Sequence, residues 1–387
     1  MALSAIRVGA LVGAGVIAPK QGGGVAGLAY NLKSSNTVNL RTAYRSGVTT
    51  AIALVGDSQF RGISASLPAN SMFPNGMARQ TAASLSAKGI TAGFDNLFGI
   101  GDGTSNTGSL ATLKSRDYRF DFGGGATVGS QAGGGAGFSL PSAGSFVSIS
   151  SLATATKFDL WDRNAGTGSG FTYSVDGGAP VTVSQTGAFV MRKTTIDLGS
   201  PGLHTIRVEW AAGNPTIYGG AFYDDRRSEI RLNDFSIAGG DSQRLGDNTG
   251  SPSAGRPQMY IQTGSKLALV EGGVTNDWRG NVSVATFKTN LTNLVSTLQA
   301  ANIDVVLWTP PFDGSGVGSA ANQEAYITAM YEVATARDCG LIDIRKRWLS
   351  DEYQAAQGYA NLNDPHPLLK GYQDAGYVAA EILAQWL

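Results

Sequence analysis

Apolar residues occur in two different patterns along the chain, and the change between the patterns divides the sequence. Residues 51–55 are apolar without a break, and the turn signal Gly56-Asp57-Ser58 follows directly. Such a run is typical of a strand that is buried on both faces. Similar runs recur at 267–270 and 303–308, and helical spacing lies between them at 287–298. Strands that alternate with helices predict an α/β domain whose parallel sheet is covered on both faces.

The middle of the chain instead alternates with period 2, from about Asp117 to Asp225. Over 204–210, His, Ile, Val and Trp lie on one face of a predicted strand, and Thr, Arg and Glu lie on the other. Asp176-Gly177-Gly178 separates two further alternating segments and predicts a hairpin. Short strands with turn residues between them predict a β-sandwich. The predicted order is an N-terminal arm at 1–48, the first part of the α/β domain at 49–117, an inserted β-sandwich at 118–227, and the second part of the α/β domain at 228–387.

Composition excludes several classes of function. The 29 basic and 29 acidic side chains among 387 residues give a net charge of zero, which offers no electrostatic case for nucleic acid or an anionic membrane. The single cysteine, Cys339, excludes an intrachain disulfide and a CxxC metal site, and we expect it to be buried near a helix end. No apolar run reaches transmembrane length. Residues 1–18 lack a basic start and Arg7 interrupts them, so no cleaved signal peptide is expected.

The two histidines limit any mechanism that needs an imidazole base. His204 lies in the alternating segment with Ile206 and Val208, which predicts a packed strand histidine. His366 lies in an Asp-Pro-His-Pro turn near the C-terminus and is the better candidate. Ser58 has two interpretations, since it could cap a helix or could lie in a ligand site at the carboxyl end of its strand.

Four turns in a fixed order give these residues a common interpretation. They are Gly56-Asp57-Ser58, Gly240-Asp241, Asn276-Asp277 and Asp364-Pro365-His366-Pro367, each at a predicted strand end or loop. This ordered set resembles the SGNH (GDSL-like) hydrolase superfamily over residues 49–117 and 228–387. The resemblance implies a flavodoxin-like three-layer α/β/α domain that acts as an esterase, lipase or carbohydrate deacetylase.

The resemblance also implies a role for each turn. Ser58 would be the nucleophile, and His366 would be the general base that takes its proton. The backbone N–H groups of Ser58 and Gly240 and the side-chain amide of Asn276 would form the oxyanion hole. Neither a metal nor a cofactor is implied.

Two departures from the family pattern leave alternatives open. The third turn is one residue longer than usual, although Asn276 still directly precedes Asp277. In the last turn the acid Asp364 is two residues before His366 rather than three, and Asn363 occupies the usual position. Asp364 can orient the imidazole only if the turn is tighter. Otherwise Asn363 or a backbone carbonyl orients it, or the site is a Ser–His dyad.

Other residues have structural interpretations that compete with a role in the site. Ser242 repeats the Gly-Asp-Ser-Gln sequence of the first turn, but Asn276 then follows it too soon. Asp277 is expected to be structural. Trp161 and Trp210 could stack on sugars, although core packing is the better interpretation of Trp210.

The sequence therefore predicts a serine esterase that removes acyl groups, acetyl first among them, from a carbohydrate or a small ester. A non-catalytic glycan-binding or structural virion protein and an O-acyltransferase are the alternatives. The inserted sandwich is a candidate carbohydrate-binding module by analogy alone. An extracellular or virion-associated location, such as a phage tail, is expected, and a homo-oligomer is compatible with the sequence.

Overall fold

The computed structural model describes residues 27–62, 75–95, 117–129, 137–163, 168–187, 190–247, 256–317 and 320–387, and also residues 25 and 114. In chain order the strands are β1 (Ala29–Tyr30), β2 (Thr50–Val55), β3 (Ala92–Gly93), β4 (Phe120–Gly123), β5 (Thr127–Gly129), β6 (Gly137–Ser139), β7 (Phe146–Ser150), β8 (Ala155–Arg163), β9 (Ser169–Val175), β10 (Val181–Gln185), β11 (Met191–Gly202), β12 (Thr205–Ala212), β13 (Thr216–Tyr223), β14 (Ile230–Asp234), β15 (Ser265–Val270), β16 (Asp304–Trp308) and β17 (Gly340–Ile342). The helices are Val38–Arg45, Ser58–Arg61, Met77–Ala87, Ser242–Gly246, Arg256–Gln262, Val274–Arg279, Val284–Ala300, Ala320–Ala336, Arg345–Trp348, Asp351–Ala356 and Leu369–Ala384, with a 3-10 turn at Ser34–Asn36.

The central sheet has seven strands in the order β1-β17-β16-β15-β2-β14-β3. All neighbours are parallel except β1 and β17 at one edge. Ile52 and Leu54 of β2 pack with helices Met77–Ala87 and Leu369–Ala384 on one face. The alternate residues, Ala53 and Val55, pack on the other face with helices Val284–Ala300 and Ala320–Ala336. The predicted mixed α/β fold with a buried β2 is confirmed.

Two five-stranded antiparallel sheets come from the middle of the chain, in the orders β10-β9-β12-β7-β4 and β11-β8-β13-β6-β5. They share one apolar cluster, to which the first sheet contributes Val147 and Ile206 and the second contributes Phe158 and Ile217. The predicted hairpin joins β9 to β10, with positive φ at Asp176 (49°) and Gly177 (74°). Positive φ at consecutive turn residues is what a tight hairpin needs, and it explains the Asp-Gly sequence.

These antiparallel sheets pack directly on the α/β core. Trp161 and Tyr218 belong to the same apolar cluster as Phe235 and Tyr260, and Trp161 is only 6% exposed. The sugar-stacking role that the sequence left open for Trp161 is therefore not available in this arrangement. The ring packs in the core instead.

The N-terminal segment is more ordered than a loose arm where the structure describes it. Strand β1 pairs antiparallel with β17 at the sheet edge. Leu40, on helix Val38–Arg45, is buried in the core, and its N–H donates to Asp304 Oδ2 at 2.9 Å. The hydrophobic pattern does not predict this helix, because Leu40 is its single buried residue. Cys339 is buried just after helix Ala320–Ala336, as predicted. In the described ranges, no helix combines the length and the apolar character that crossing a membrane requires.

Candidate active site

The Gly56-Asp57-Ser58 turn follows the carboxyl end of β2, in the middle of the sheet. Gly56 leaves the strand, and Asp57 caps helix Ser58–Arg61 by accepting the Gln59 N–H at 2.8 Å. A Cβ at Gly56 would lie 2.9 Å from the Phe60 ring and 3.1 Å from Glu271 Cβ, so only glycine fits there. Ser58 begins the helix and is 8% exposed. Within the described part of the chain, the Ser58 backbone N–H donates to no internal acceptor.

His366 joins Ser58 to Asp364 through its two ring nitrogens. Its Nε2 lies 2.9 Å from Ser58 Oγ, and its Nδ1 lies 2.7 Å from Asp364 Oδ1. A carboxylate at Nδ1 assigns the ring proton to that nitrogen, which leaves the Nε2 lone pair directed at the serine hydroxyl. This is the tautomer that a general base for serine needs.

The turn before His366 is tight, and this explains how Asp364 reaches the ring. Asp364 Oδ1 also accepts the backbone N–H of His366 at 3.0 Å, which is the local geometry of an Asx-turn. Asn363 is exposed with φ of 62°, and its N–H donates to Asp351 Oδ2 at 3.1 Å. Of the alternatives that the sequence left open, the structure thus places Asp364 on the imidazole. Although partial burial opposes it, the hydrogen bond from His366 holds the pKa of Asp364 below its ordinary value.

Asn276 connects the Gly56-Asp57-Ser58 turn to the Gly240 loop. Its Nδ2 donates to Asp57 Oδ2 at 2.7 Å and to the Gly240 carbonyl oxygen at 3.0 Å. The Gly240 N–H donates to the Ile237 carbonyl oxygen at 2.9 Å. The predicted site residues therefore form two hydrogen-bonded sets, Ser58–His366–Asp364 and Asn276–Gly240, and the second is joined to the first through Asp57, which directly precedes Ser58. Among the three predicted oxyanion donors, only the Ser58 N–H is without an internal acceptor in the described structure.

Two glycines accommodate the extra residue in the Asn276 turn. Gly272 and Gly273 have φ of 79° and 71°. A Cβ at Gly273 would lie 2.5 Å from the Gly240 carbonyl oxygen, so the two loops approach closely only because this residue is glycine.

Three buried carboxyls, those of Asp57, Glu271 and Asp277, lie in or next to these turns, and the sequence analysis assigned a catalytic role to none of them. Burial raises the pKa of Asp57 to about 6 and that of Asp277 to about 6. Burial and the charge of Asp57 raise the pKa of Glu271 well above its ordinary value. Asp277 Oδ2 accepts the Ser242 N–H at 3.2 Å, which fits the structural role expected for it. Across the described ranges, no group of three His, Cys, Asp or Glu side chains is arranged to hold a metal ion.

The competing serine and histidine have other partners. Ser242 Oγ accepts a hydrogen bond from Asn290 Nδ2 at 3.0 Å and is 2% exposed. His204, among the antiparallel strands, has Nδ1 at 2.7 Å from Asp176 Oδ2 and Nε2 at 2.8 Å from the Ser200 carbonyl oxygen. Because both ring nitrogens of His204 face oxygen acceptors, this histidine has no nitrogen directed at a nucleophile.

Comparison with known proteins gives the site a family context. Residues 211–373 match the model of the GDSL-like Lipase/Acylhydrolase family. No curated protein matches the chain. Among solved structures, a peptidoglycan O-acetylesterase aligns with a TM-score of 0.65 at 16% identity, over 93% of this chain and 99% of that one. Family two carbohydrate esterases also align, with TM-scores of 0.30 (Cellvibrio japonicus, 12% identity, 70% of this chain and 96% of that one) and 0.32 (Clostridium thermocellum, 14% identity, 65% of this chain and 96% of that one).

The matched range contains Gly240, Asn276, Asp364 and His366 and begins after Ser58. The 2.9 Å contact with His366 places Ser58 beside this matched set. The first turn, the family match over residues 211–373 and the fold all agree with an SGNH (GDSL-like) hydrolase, a class of carboxylic ester hydrolases.

Proposed function

We propose that this hydrolase removes acyl groups, acetyl first among them, from a carbohydrate through an acyl-enzyme on Ser58. The observation that carries the proposal is the hydrogen-bonded series from Ser58 Oγ through His366 to Asp364, with steps of 2.9 and 2.7 Å. Such a series activates a hydroxyl that is otherwise a weak nucleophile.

The reaction has two halves. His366 Nε2 takes the Ser58 hydroxyl proton as Oγ attacks the ester carbonyl carbon, and it then gives that proton to the leaving sugar oxygen. The acyl group remains on Ser58 Oγ. In the second half His366 takes a proton from water, the resulting hydroxide oxygen attacks the acyl carbon, and the proton returns to Ser58 Oγ as the carboxylic acid leaves. Asp364 holds the imidazole and stabilises it while it is positively charged.

The oxyanion of each tetrahedral intermediate would accept hydrogen bonds from the Ser58 N–H, the Gly240 N–H and the Asn276 amide. The Ser58 N–H is directed by the helix start and has no internal acceptor in the described structure. The Asn276 amide would donate to the oxyanion instead of the Gly240 carbonyl oxygen and would keep its hydrogen bond to Asp57 Oδ2. The Gly240 N–H would release its hydrogen bond to the Ile237 carbonyl oxygen or share it with the oxyanion. The charge on the oxyanion favours this exchange, because hydrogen bonds to an ionised acceptor are stronger than those to a carbonyl.

Replacing Asn276 by alanine is expected to lower kcat by about 100- to 1000-fold with a smaller change in KM, since an oxyanion donor acts mainly in the transition state. Steady-state kinetics on p-nitrophenyl acetate measures this. Asn290→Ala is the matched control, because it removes an amide of the same size that contacts Ser242 rather than the site. Equal kcat for Asn276→Ala and wild type would exclude Asn276 from the oxyanion hole.

The carbohydrate part of the proposal is supported by the arrangement of the whole chain. We propose that the seven-stranded sheet belongs to a flavodoxin-like three-layer domain, built from 49–117 and 228–387, and that 118–227 form an inserted β-sandwich that holds glycan. The structure that aligns over 93% of this chain is a peptidoglycan O-acetylesterase, so an acetylated glycan is the substrate class with the best support.

Release of acetate from acetylated polysaccharides tests the proposed substrate. We expect wild type to release acetate from at least one acetylated bacterial polysaccharide, and Ser58→Ala to release none above background. Activity on p-nitrophenyl acetate without release from any acetylated glycan would contradict the carbohydrate assignment and leave the esterase mechanism standing.

A further inference from the structure

The side chain of Glu271 lies at the junction of two turns in the site. Glu271 directly follows β15 and is fully buried. Its Oε2 accepts the backbone N–H of Asp57 at 3.2 Å and the backbone N–H of Gly273 at 2.9 Å. We propose that Glu271 is a positioning residue, which holds Ser58 and Asn276 in register for catalysis by accepting both N–H groups on one oxygen. This inference rests on the proposed function of Ser58.

Each of these two N–H groups lies next to a residue of the site. The Asp57 N–H is one peptide before Ser58, and Gly273 is the residue that precedes helix Val274–Arg279, on which Asn276 lies. The two turns come from strands β2 and β15, which are far apart in sequence. A single carboxyl oxygen that binds both turns therefore fixes the distance between the nucleophile and the oxyanion donor.

A second link joins the same turns and limits how they can move. Asp57 Oδ2 accepts the Asn276 amide at 2.7 Å, and Asp57 Oδ1 accepts the Gln59 N–H at 2.8 Å. Asp57 thus connects the turns through its side chain, and Glu271 connects them through the backbone N–H groups of Asp57 and Gly273. Without the Glu271 side chain, the Asp57 backbone N–H would lose its acceptor. Asp57 and the Asn276 amide that it binds could then shift together.

The main chain at Glu271 is anchored independently of its side chain. The Glu271 N–H donates to the Val55 carbonyl oxygen at 2.9 Å, which continues the sheet. Substitution of the side chain therefore leaves the strand in place and removes only the link to the turns. The same two N–H groups would then be buried without a partner, which is unfavourable unless another acceptor replaces the carboxyl oxygen.

Glutamine should replace Glu271 well, whereas an apolar side chain should not. The titratable groups around Glu271 are the carboxyls of Asp57 and Asp277, which disfavour a further negative charge there. Glu271 Oε1 has no hydrogen-bond partner in the described structure, so no contact depends on the carboxyl being ionised. A glutamine amide oxygen can accept both N–H groups, whereas leucine has similar volume and no acceptor.

The test compares Glu271→Gln with Glu271→Leu by the rate at which a fluorophosphonate labels Ser58 and by kcat and KM on p-nitrophenyl acetate. We expect Glu271→Gln to stay close to wild type. We expect Glu271→Leu to lose about 100-fold in labelling rate and in kcat with little change in KM, because a displacement of about 1 Å can cost that much. Asp304→Ala is the control for general destabilisation. It removes a buried carboxyl that accepts the Leu40 N–H at the amino end of β16, whereas Glu271 follows the carboxyl end of β15, so it should lower Tm and leave the labelling rate unchanged.

Wild-type kinetics from folded Glu271→Leu would overturn the inference, and so would a large loss of kcat in Glu271→Gln. If Glu271→Leu does not fold, Glu271→Gln still decides, since the loss of its activity contradicts the acceptor role and its retention supports it. Failure of wild type itself to label at Ser58 would instead contradict the proposed function. The two failures are therefore distinguishable.

Discussion

Ser58→Ala is expected to lower kcat for ester hydrolysis by about 10⁵- to 10⁶-fold, the loss that follows removal of the nucleophile from a Ser-His-Asp arrangement. The reason is structural, because Ser58 Oγ is the atom that His366 Nε2 faces at 2.9 Å. The acyl-enzyme cannot form without that oxygen. Steady-state rates on p-nitrophenyl acetate, with far-UV circular dichroism to verify folding, measure the effect.

The chain offers a matched control for this substitution. Ser242 has the same Gly-Asp-Ser-Gln context as Ser58, is also at a helix start, and contacts Asn290 rather than a histidine. Ser242→Ala should therefore keep kcat near wild type. A large loss in Ser242→Ala together with an active Ser58→Ala would reverse the assignment of the nucleophile.

His366→Ala is expected to lower kcat by a similar factor, since removal of either nucleophile or base alone disables the arrangement. In the proposed mechanism His366 is the general base in both halves of the reaction, and His204, whose ring nitrogens face Asp176 and the Ser200 carbonyl oxygen, is not placed to replace it. The His366 side chain is 23% exposed in wild type. Its removal therefore leaves a space beside Ser58 that solvent can reach, and added imidazole should bind there and restore part of the rate. Rate measurements with and without imidazole test both expectations.

His204→Ala is the control for the loss of a histidine. His204 is held between Asp176 and the Ser200 carbonyl oxygen in the antiparallel sheets, so its removal should lower Tm and leave kcat per folded molecule unchanged. If His204→Ala lost as much activity as His366→Ala, the role of sole base assigned to His366 would be wrong.

The parts of this fold that were predictable are those with a strong local pattern. The run at 51–55 predicted a buried strand because parallel strands in the middle of a sheet contact helices on both faces. Helix Val284–Ala300 was predictable from its apolar stripe at 287–298.

The candidate site was predictable to the extent that it lies in short sequence motifs. Four turn motifs pointed to Ser58, Gly240, Asn276 and His366. The order of these motifs along the chain made the combination informative. The orientation of His366 was not predictable, because whether Asp364 or Asn363 reaches the ring depends on the φ of one exposed residue and on Asp351, which is distant in sequence from both.

Contacts between distant segments account for what the sequence could not give. Glu271 carries no motif of its own, and its role is visible only when the backbones of Asp57 and Gly273 are placed around it. The hydrogen bond from the Gly240 N–H to the Ile237 carbonyl oxygen is likewise visible only in the folded loop. A signal existed for Glu271 nonetheless, since an acidic residue directly after a buried apolar strand is unusual unless it has a partner.

The central claim is an acyl-enzyme on Ser58, and direct observation of that intermediate tests it most directly. Wild type and Ser58→Ala are mixed with p-nitrophenyl acetate, quenched in acid within the first turnovers, digested and analysed by mass spectrometry. The account predicts one acetyl group on the peptide that contains Ser58 in wild type, and none at this position in Ser58→Ala. Turnover with the acetyl group on another residue, such as Ser242, or with no acyl adduct at any burst time, would contradict it.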